Sequence, residues 1–367
     1  MPDEMITLER TRDTRERAEI ELAVAALHPE RFGLRRHRDG WRKTIPGLGG
    51  VVFAPLGWQH AQCASYDFVD GAREPLDALR FLVRLQARVW GMPPEELVPV
   101  NILAILPDTG GSVLVAYREE LGFNADGWLG FAIGAGGRSG TLVSHMLGVR
   151  EEQRGSRDLG WHLKLLQGYE ALRAGHRSAV WTFDPMRGAN ARLNLEKLGA
   201  TVRELTLDKY GVLRSDLYGN VPSDRFTAYW DLVSATTHRR LEDVRTERYL
   251  GPDPEMVRAL PAITPDNAER LAKTAPAAAR YQIPADIDAL MTEDPRRANH
   301  WRSEMRAALS PFMTIKSARA AAADASPIEI GVDLRPGAYD VVAFATDVRV
   351  PGERDNGYVL RRRGGEA

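Results

Sequence analysis

Blocks of apolar and polar residues alternate along the middle of the chain and predict a series of strands and helices. Apolar residues at helical spacing from Leu79 to Val89, ended by Gly91 and Pro93, predict the first helix of this region. Short apolar runs bounded by turn residues predict strands, and amphipathic stretches ended by glycine predict helices. The predicted strands are 112–117, 128–133, 141–149, 178–183, 201–207 and 225–233, and the further helices are 158–174 and 190–198. Strands followed by alternating strands and helices indicate one α/β domain with a mixed sheet at 65–233.

The segments on either side of this core have weaker patterns. Residues 1–64 predict an N-terminal extension, in which a helix is followed by a basic, glycine-rich loop that begins near Arg35. Residues 234–280 are charged and contain proline, so they predict a connecting segment. Residues 281–367 predict a C-terminal α/β segment packed on the core, with a helix at 295–309, an alanine-rich run at 318–325 and strands at 338–345 and 358–360.

Composition narrows the class of partner. Lys and Arg total 49 against 50 Asp and Glu, for a net charge of -1, so no global basic field is present to hold nucleic acid or an anionic membrane. No apolar run approaches the ~20 residues of a membrane helix, and the first residues are acidic where a signal peptide is basic. We therefore expect a cytoplasmic protein with a small-molecule partner. The eight histidines show no HExxH spacing and Cys63 is the only cysteine, so no metal site is expected.

The stretch from Ser144 to Lys164 carries the most specific chemistry. A strand ends at Val149, a loop with Gly, Ser and Arg follows, and a helix begins near Asp158. Backbone N–H groups at the positive end of a helix form a site for a pyrophosphate, and Arg154 and Arg157 add charge. An ordinary strand-to-helix turn with solvated arginines fits the loop chemistry equally well.

This stretch resembles the cofactor loop of the GNAT acyltransferases, Gln/Arg-x-x-Gly-x-Gly/Ala. Gly160 matches the last glycine of the motif, and the pair Arg154 and Gly155 resembles an arginine–glycine pair common in that loop. Asp158 stands where the first glycine is expected, so either the loop is one residue longer or the carboxylate of Asp158 caps the helix N-terminus. The helix 190–198 resembles the family's helix that ends Tyr-Glu-Lys-Leu-Gly-Phe, with Leu195 in place of the tyrosine. The resemblance covers about 66–232. Within the family, the chain resembles a subgroup in which some proteins are similar to amino-acid N-succinyltransferases.

The resemblance implies a GNAT fold, which is a mixed, mostly antiparallel sheet splayed at its centre between strands 141–149 and 178–183 and flanked by helices. It also implies that acyl-CoA, either acetyl-CoA or succinyl-CoA, is the co-substrate. Freed backbone groups at the end of the first of these strands would bind the pantetheine arm and polarise the thioester carbonyl. The cofactor-binding residues so implied are Leu147, Gly148, Val149, Arg154, Gly155, Ser156, Arg157, Leu159, Gly160, Asn190 and Asn194.

Proton transfer requires a base and an acid. His145 has an ordinary pKa suited to a general base, with Asp184, Glu151 and Glu152 as rivals, although a structural role fits His145 and a turn-capping role fits Asp184. Tyr210 is the candidate acid because Leu195 replaces the family's tyrosine, and a core or turn tyrosine is the alternative.

The acceptor is expected to be a small amine, such as an amino acid, because of the subgroup resemblance. Arg225 and Arg302 are candidates to bind its carboxylate, although structural ion pairs fit them as well. A non-catalytic acyl-CoA sensor or scaffold is the first alternative function. A different nucleotide-binding α/β enzyme is the second, weakened by the absence of GxGxxG and P-loop motifs. The oligomeric state is left open, with a homodimer as one option.

Overall fold

The computed structural model describes residues 2–38, 40–56, 76–154, 158–215, 219–249, 251–317, 333–335, 337–346 and 356–364. Contacts between residues divide the chain into two units. The first unit is Met1–Val180 with Asp231–Arg245, and the second is Trp181–Trp230 with Thr246–Ala367. These boundaries differ from the predicted ones at 64, 233 and 280.

The regular elements follow the predicted order through the middle of the chain. Up to residue 183 they are α1 (Pro2–Ala26), β1 (Arg35–His37), β2 (Gly40–Ile45), β3 (Gly49–Pro55), α2 (Asp77–Trp90), α3 (Val100–Ile105), β4 (Ser112–Arg118), β5 (Trp128–Gly136), β6 (Thr141–Val149), α4 (Leu159–Arg173) and β7 (Ser178–Phe183). From there to residue 245 they are α5 (Gly188–Ala191), β8 (Thr201–Leu207), β9 (Val212–Ser215), β10 (Gly219–Pro222), β11 (Arg225–Asp231) and α6 (Ala235–Arg245). The remainder are α7 (Pro254–Ala259), α8 (Ala268–Thr274), β12 (Ala278–Ile283), α9 (Ile287–Glu293), α10 (Pro295–Leu309), β13 (Thr314–Ser317), β14 (Asp333–Arg335), β15 (Tyr339–Thr346) and β16 (Asn356–Arg362).

The sheet of the first unit is antiparallel from β1 to β6, each strand pairing with the next along the chain. β6 then pairs in parallel with the beginning of β7. A parallel pair needs a long crossover, and α4 supplies it. The predicted mixed, mostly antiparallel sheet with flanking helices is therefore confirmed.

The predicted basic loop after the first helix is wrong, because this region forms β1, β2 and β3. Val51, Val52 and Phe53 are fully buried on β3, and Trp41 on β2 is paired with Phe53. The turn between these strands contains Gly47 and Gly49 in the left-handed conformation. The sequence favours a loop here because β2 and β3 both begin with glycine, and basic residues precede β2 and lie within it.

The core of the first unit lies between α2 and the sheet. Leu79, Leu82 and Leu85 on α2 are buried in one cluster with Val115 and Phe131 of the sheet. α4 is buried almost throughout, and its buried residues include His162, Lys164 and Gln167. Buried polar side chains require partners inside the protein, so α4 must carry a polar network.

In the second unit β8 pairs with strands from both chain segments of that unit, Trp181–Trp230 and Thr246–Ala367. It pairs antiparallel with β11, parallel with β13 and through one residue pair with β15, while β16 pairs with β15 and β12. The predicted connecting segment contains α6, α7 and α8. The predicted helix 190–198 is formed by α5 and a π-helical stretch, Arg192–Lys197. The alanine-rich run at 318–325 lies outside the described residues.

No helix among the described residues has both the length and the apolar character needed to cross a membrane.

Candidate functional site

β6 is released from its neighbouring strand part-way along its length. Its parallel ladder to β7 consists of Thr141 with Ser178, Leu142 with Ala179 and Val143 with Val180. From Ser144 to Val149 the strand keeps its partner β5 on one side, whereas its other edge has no strand partner in the described part of the chain. Leu147, Gly148 and Val149, predicted to bind the cofactor through their backbone, all lie on this edge.

A β-bulge interrupts β6 at His145. Ile133 of β5 pairs with Met146 and the next residue, Gly134, pairs with Ser144, which leaves His145 without an opposite residue. A bulge of this kind bends the strand and changes the direction of a side chain. The side chain of His145 is exposed, yet the protein around it removes enough water to lower the pKa of the imidazole below its ordinary value. The His145 side chain is therefore accessible, and its surroundings favour the neutral imidazole.

A buried polar network lies under this bulge. The Nζ atom of Lys164 on α4 donates to Ser144 Oγ at 2.6 Å, and Ser144 Oγ donates to Gln167 Oε1 at 2.6 Å. Gln167 Nε2 in turn donates to Ser112 Oγ on β4 at 3.4 Å. The network ties α4 to the residue immediately before His145, so it fixes the strand where the bulge begins.

The amine of Lys164 in this network has a strongly shifted pKa. Burial lowers the pKa of its amine to about 7. The desolvated ammonium is disfavoured, so a large fraction of Lys164 is neutral at physiological pH.

The loop between β6 and α4 is only partly described. Gly155, Ser156 and Arg157, predicted to bind the pyrophosphate, lie outside the described residues. The guanidinium of Arg154 donates to the carbonyl oxygens of Val149 and Val89, both at 3.3 Å. Leu159 is buried and Gly160 is half-buried in the first turn of α4.

Asp158 does not cap α4. It has φ 52° and ψ 21°, in the left-handed region, and its side chain makes no capping hydrogen bond to the described first turn. Its carbonyl oxygen instead accepts from the backbone N–H of His162 at 2.9 Å. The left-handed conformation favours glycine, with Asp and Asn as the tolerated substitutes. The backbone geometry at this position therefore suits glycine, aspartate or asparagine.

Lys43 of β2 approaches the same end of α4. Its Nζ lies 3.0 Å from His162 Nε2 and donates to the carbonyl oxygen of Phe32 at 2.7 Å. Burial lowers the pKa of Lys43, and the nearby charge of Asp158 opposes that effect. Since His162 Nδ1 is 2.8 Å from the carbonyl oxygen of Asp158, Nδ1 is the protonated nitrogen and Nε2 accepts from Lys43.

In the second unit Asp184 and Arg302 bind each other. Arg302 Nη1 and Nη2 donate to the two carboxylate oxygens of Asp184 at 3.0 and 2.8 Å, and both side chains are fully buried. Burial alone would raise the pKa of Asp184, but the charge and hydrogen bonds of Arg302 outweigh it and hold the pKa below its ordinary value. A buried, ion-paired carboxylate is a poor base, and both Nη atoms of Arg302 are already bound to Asp184. The ion pair agrees with the structural alternative for Arg302, and the backbone N–H of Met186, which donates to Asp184 Oδ1 at 2.9 Å, agrees with the turn-capping alternative for Asp184. The catalytic role of Asp184 and the substrate-binding role of Arg302 stay predictions.

Tyr210 is exposed at the turn that follows β8. Its hydroxyl lies 3.1 Å from Thr182 Oγ1 of β7. The guanidinium carbon of Arg225 lies 5.6 Å from the centre of its ring, and the ammonium of Lys209 lies 5.9 Å away. Arg225 is itself buried and donates to the carbonyl oxygen of Asp224 at 2.9 Å. The phenol therefore sits in a positive environment.

The two asparagines predicted to bind CoA differ in burial. Asn190 is half-buried in α5, whereas Asn194 is buried in the π-helical stretch. Their predicted contacts with CoA stay predictions. Glu151 and Glu152 are exposed, and Glu152 pairs with Arg150 at 3.2 Å.

Three comparisons relate this chain to known proteins. No family model matches it, and no curated protein matches it. Solved structures do match.

An IAA acetyltransferase from Bacillus cereus ATCC 14579 is 13% identical, with a TM-score of 0.33, over 49% of this chain and 99% of that one. A structure from Desulfovibrio desulfuricans, described as an acetyltransferase of the GNAT family, is 18% identical, with a TM-score of 0.33, over 50% and 99%. An acetyltransferase from Bacillus subtilis in complex with CoA is 16% identical, with a TM-score of 0.28, over 35% and 82%.

Lys43, Lys164 and Thr182 are not among the site residues predicted from the sequence. Lys43 lies in a region that was predicted to be a loop. Lys164 had a usable signal, because it is flanked by Leu163 and Leu165 in a helix that is apolar nearly all round. A charged residue inside such a run indicates a buried polar contact. Thr182 carried no such signal.

Proposed function

We propose that this protein is an acyl-CoA-dependent N-acyltransferase of the GNAT type. The observation that carries the proposal is the edge of β6 after Val143, which has no strand partner among the described residues. A bulge at His145 lies on this part of the strand, and the helix α4 begins after the loop that follows it. An unpaired strand edge offers fixed backbone donors, and the start of a helix favours an anion. Gly160 and the left-handed residue 158 agree with the family's cofactor loop.

In the proposed reaction the amine nitrogen attacks the thioester carbonyl carbon directly. The N–C bond forms, the C–S bond breaks and CoA leaves as a thiolate, so no covalent enzyme intermediate is needed. Backbone groups of Leu147, Gly148 and Val149 would hold the pantetheine arm and the carbonyl oxygen. In the first unit, His145 is the candidate to accept the proton that the amine loses. In the second unit, Tyr210 is the candidate to give a proton to the thiolate.

The acceptor is proposed to be a small amine, with an amino acid as the favoured class and acetyl-CoA or succinyl-CoA as donor. The support for this class is the subgroup resemblance alone, since Arg302 is occupied by Asp184. Arg225 stays a candidate for a substrate carboxylate.

The test is CoA release measured with a thiol reagent. Both donors should be assayed against D- and L-amino acids, polyamines, aminoglycosides and a lysine-containing peptide. Turnover with amino acids supports the full proposal, and turnover only with another amine refutes the amino-acid class. A thermal-shift series with acetyl-CoA, succinyl-CoA, free CoA and NAD supplies the binding arm, since a ligand at 100 times its dissociation constant adds about 2.7 kcal/mol of stability.

A non-catalytic acyl-CoA sensor is the second candidate. It is favoured by Leu195, which is buried completely at the position of the family's catalytic tyrosine. Thermal stabilisation by acyl-CoA without CoA release from any amine would support the sensor and refute the enzyme.

A further inference from the structure

The exposed ring of Tyr210 stands on an unusually well-anchored turn. Tyr210 N–H donates to Ser223 Oγ at 2.7 Å, and that hydroxyl donates to the carbonyl oxygen of Gly211 at 2.6 Å. Asp208 N–H donates to Asp224 Oδ1 at 3.0 Å. Ser223 and Asp224 are buried, at 1% and 0% exposure. The half-exposed ring buries little surface of its own, so these buried polar groups serve to hold its backbone.

Arg306 of α10 joins the two carboxylates of this turn. Its Nε donates to Asp224 Oδ2 at 2.7 Å, and its Nη2 lies within 2.6 Å of Asp224 Oδ1 and 2.8 Å of Asp208 Oδ1. The hydrogen bonds to Asp224 raise the pKa of Arg306, so it stays charged. One guanidinium thus binds both carboxylates and ties the turn to α10.

The same helix also fixes the partner hydroxyl. Arg302 lies four residues before Arg306, on the same face of α10. It clamps Asp184, which follows Thr182 by two residues at the end of β7. Consecutive turns of α10 therefore hold the segments that carry Thr182 and Tyr210, whose oxygens lie 3.1 Å apart.

We infer that Arg306, acting through Asp208 and Asp224, is a positioning residue that sets the orientation of the Tyr210 hydroxyl, and that α10 braces the Thr182–Tyr210 pair. The inference rests on the proposed function, in which Tyr210 donates a proton to the leaving thiolate. Through α10, the C-terminal segment would then contribute to that function without contacting the substrate.

The test uses Asp208, because it can be changed without breaking the buried pair of Arg306 and Asp224. Asp208 has φ 48°, so Asp208→Gly is compatible with the backbone and removes the tether. Asp208→Asn keeps an oxygen that can accept from Arg306. We expect Asp208→Gly to lower kcat about tenfold, with the KM for acyl-CoA unchanged and with partial rescue in Asp208→Asn.

A double-mutant cycle separates positioning from general destabilisation. In a Tyr210→Phe background, Asp208→Gly should lower kcat no further, because the group that it positions is gone. An equal loss in both backgrounds, or no loss in the wild-type background, would overturn the inference. Asp340→Asn is the matched control: Asp340 accepts from Arg363 at 2.7 Å, as Asp208 accepts from Arg306 at 2.8 Å.

A further experiment does not depend on turnover. The protein is prepared with 3-fluorotyrosine in place of tyrosine, and its fluorine NMR spectrum is recorded. The resonance absent from Tyr210→Phe identifies Tyr210. Asp208→Gly should shift or broaden that resonance and Asp340→Asn should not, and an unchanged resonance in Asp208→Gly overturns the brace. If the wild-type protein releases no CoA, the proposed function fails while this experiment still decides whether Asp208 and Arg306 position Tyr210.

Discussion

At the scale of single residues, two side chains show how backbone and burial set their chemistry. Asp158 occupies a left-handed position that its sequence neighbours do not reveal. Lys164 is an amine enclosed by α4 and the sheet, with Ser144 as a partner. For each of these residues, a substitution tests the expected effect.

Lys164 should make stability depend on pH. An unfolded lysine holds its proton to about pH 10.4, whereas folded Lys164 loses it near a pKa of about 7. Between these values the unfolded chain binds more protons, so the free energy of unfolding rises with pH, by at most about 1.4 kcal/mol per pH unit from this group. Lys164→Met should be more stable than wild type near neutral pH and should lack this slope. Urea denaturation between about pH 6.5 and 9 measures it.

The control for Lys164 is Lys273→Met, at an exposed position of α8. It should keep the wild-type slope. Equal slopes in wild type and Lys164→Met would show that the buried amine is not the source of the pH dependence.

Asp158 should weaken CoA binding, because its charge lies where the proposed site receives a pyrophosphate. Asp158→Asn and Asp158→Gly both accept the left-handed backbone and both remove the charge. We expect each to lower the dissociation constant for CoA about two- to fivefold, the effect of a charge of about 0.3–1 kcal/mol at a helix terminus. Isothermal titration calorimetry with free CoA is the measurement, and unchanged affinity in both variants would contradict the expectation.

At the scale of elements, the link between β7 and α10 is an ion pair rather than a hydrophobic contact alone. Breaking it from one side leaves a buried charge without its partner, which costs about 3–5 kcal/mol. Arg302→Met should therefore lower the free energy of unfolding by about this amount, and the double variant Asp184→Asn/Arg302→Met should recover part of it. Because the pKa of Asp184 is held low, the stabilisation is present at neutral pH and is lost as the pH falls below about 4.

Chemical denaturation at neutral pH measures this effect, with Arg297→Met on the exposed side of α10 as the control. A loss no larger than that of the control would show that the pair is dispensable.

Elements with a strong period were predictable from sequence. β6, β7, β8 and α10 agree with their predicted bounds because their apolar residues alternate or repeat cleanly between turn residues. The π-helical stretch was not predictable, since one extra residue per turn leaves no mark on a short apolar pattern. For the site, the sequence predicts which chain segment contributes but not how the residues of that segment are arranged. The bulge at His145 and the pairing of Asp184 with Arg302 depend on strand register and tertiary contact, which local sequence does not record.

At the scale of the whole molecule, the core predicted at 65–233 omits strands on both sides. β3 pairs with β4, and β13 and β15 pair with β8. A chain truncated after Arg245 would expose the edge of β8, and exposed edges promote aggregation. We expect such a chain to aggregate or to lose cooperative unfolding, as checked by size-exclusion chromatography and thermal denaturation. A soluble, cooperatively folded product that binds CoA would contradict this expectation.

The first unit is interrupted in sequence, and this has a consequence for synthesis on the ribosome. Its last piece, Asp231–Arg245, is translated only after Trp181–Trp230. Arg31 at the end of a short turn pairs with Glu242 of α6 at 3.3 Å, and the N–H of Leu232 donates to the carbonyl oxygen of Arg177 at 3.0 Å. The nascent chain therefore cannot complete its first unit until the first piece of the second, Trp181–Trp230, has already emerged. Since nascent domains otherwise fold in order from the N-terminus, the first unit of this protein is expected to complete its folding only after Arg245 has emerged, and not as soon as Val180 has.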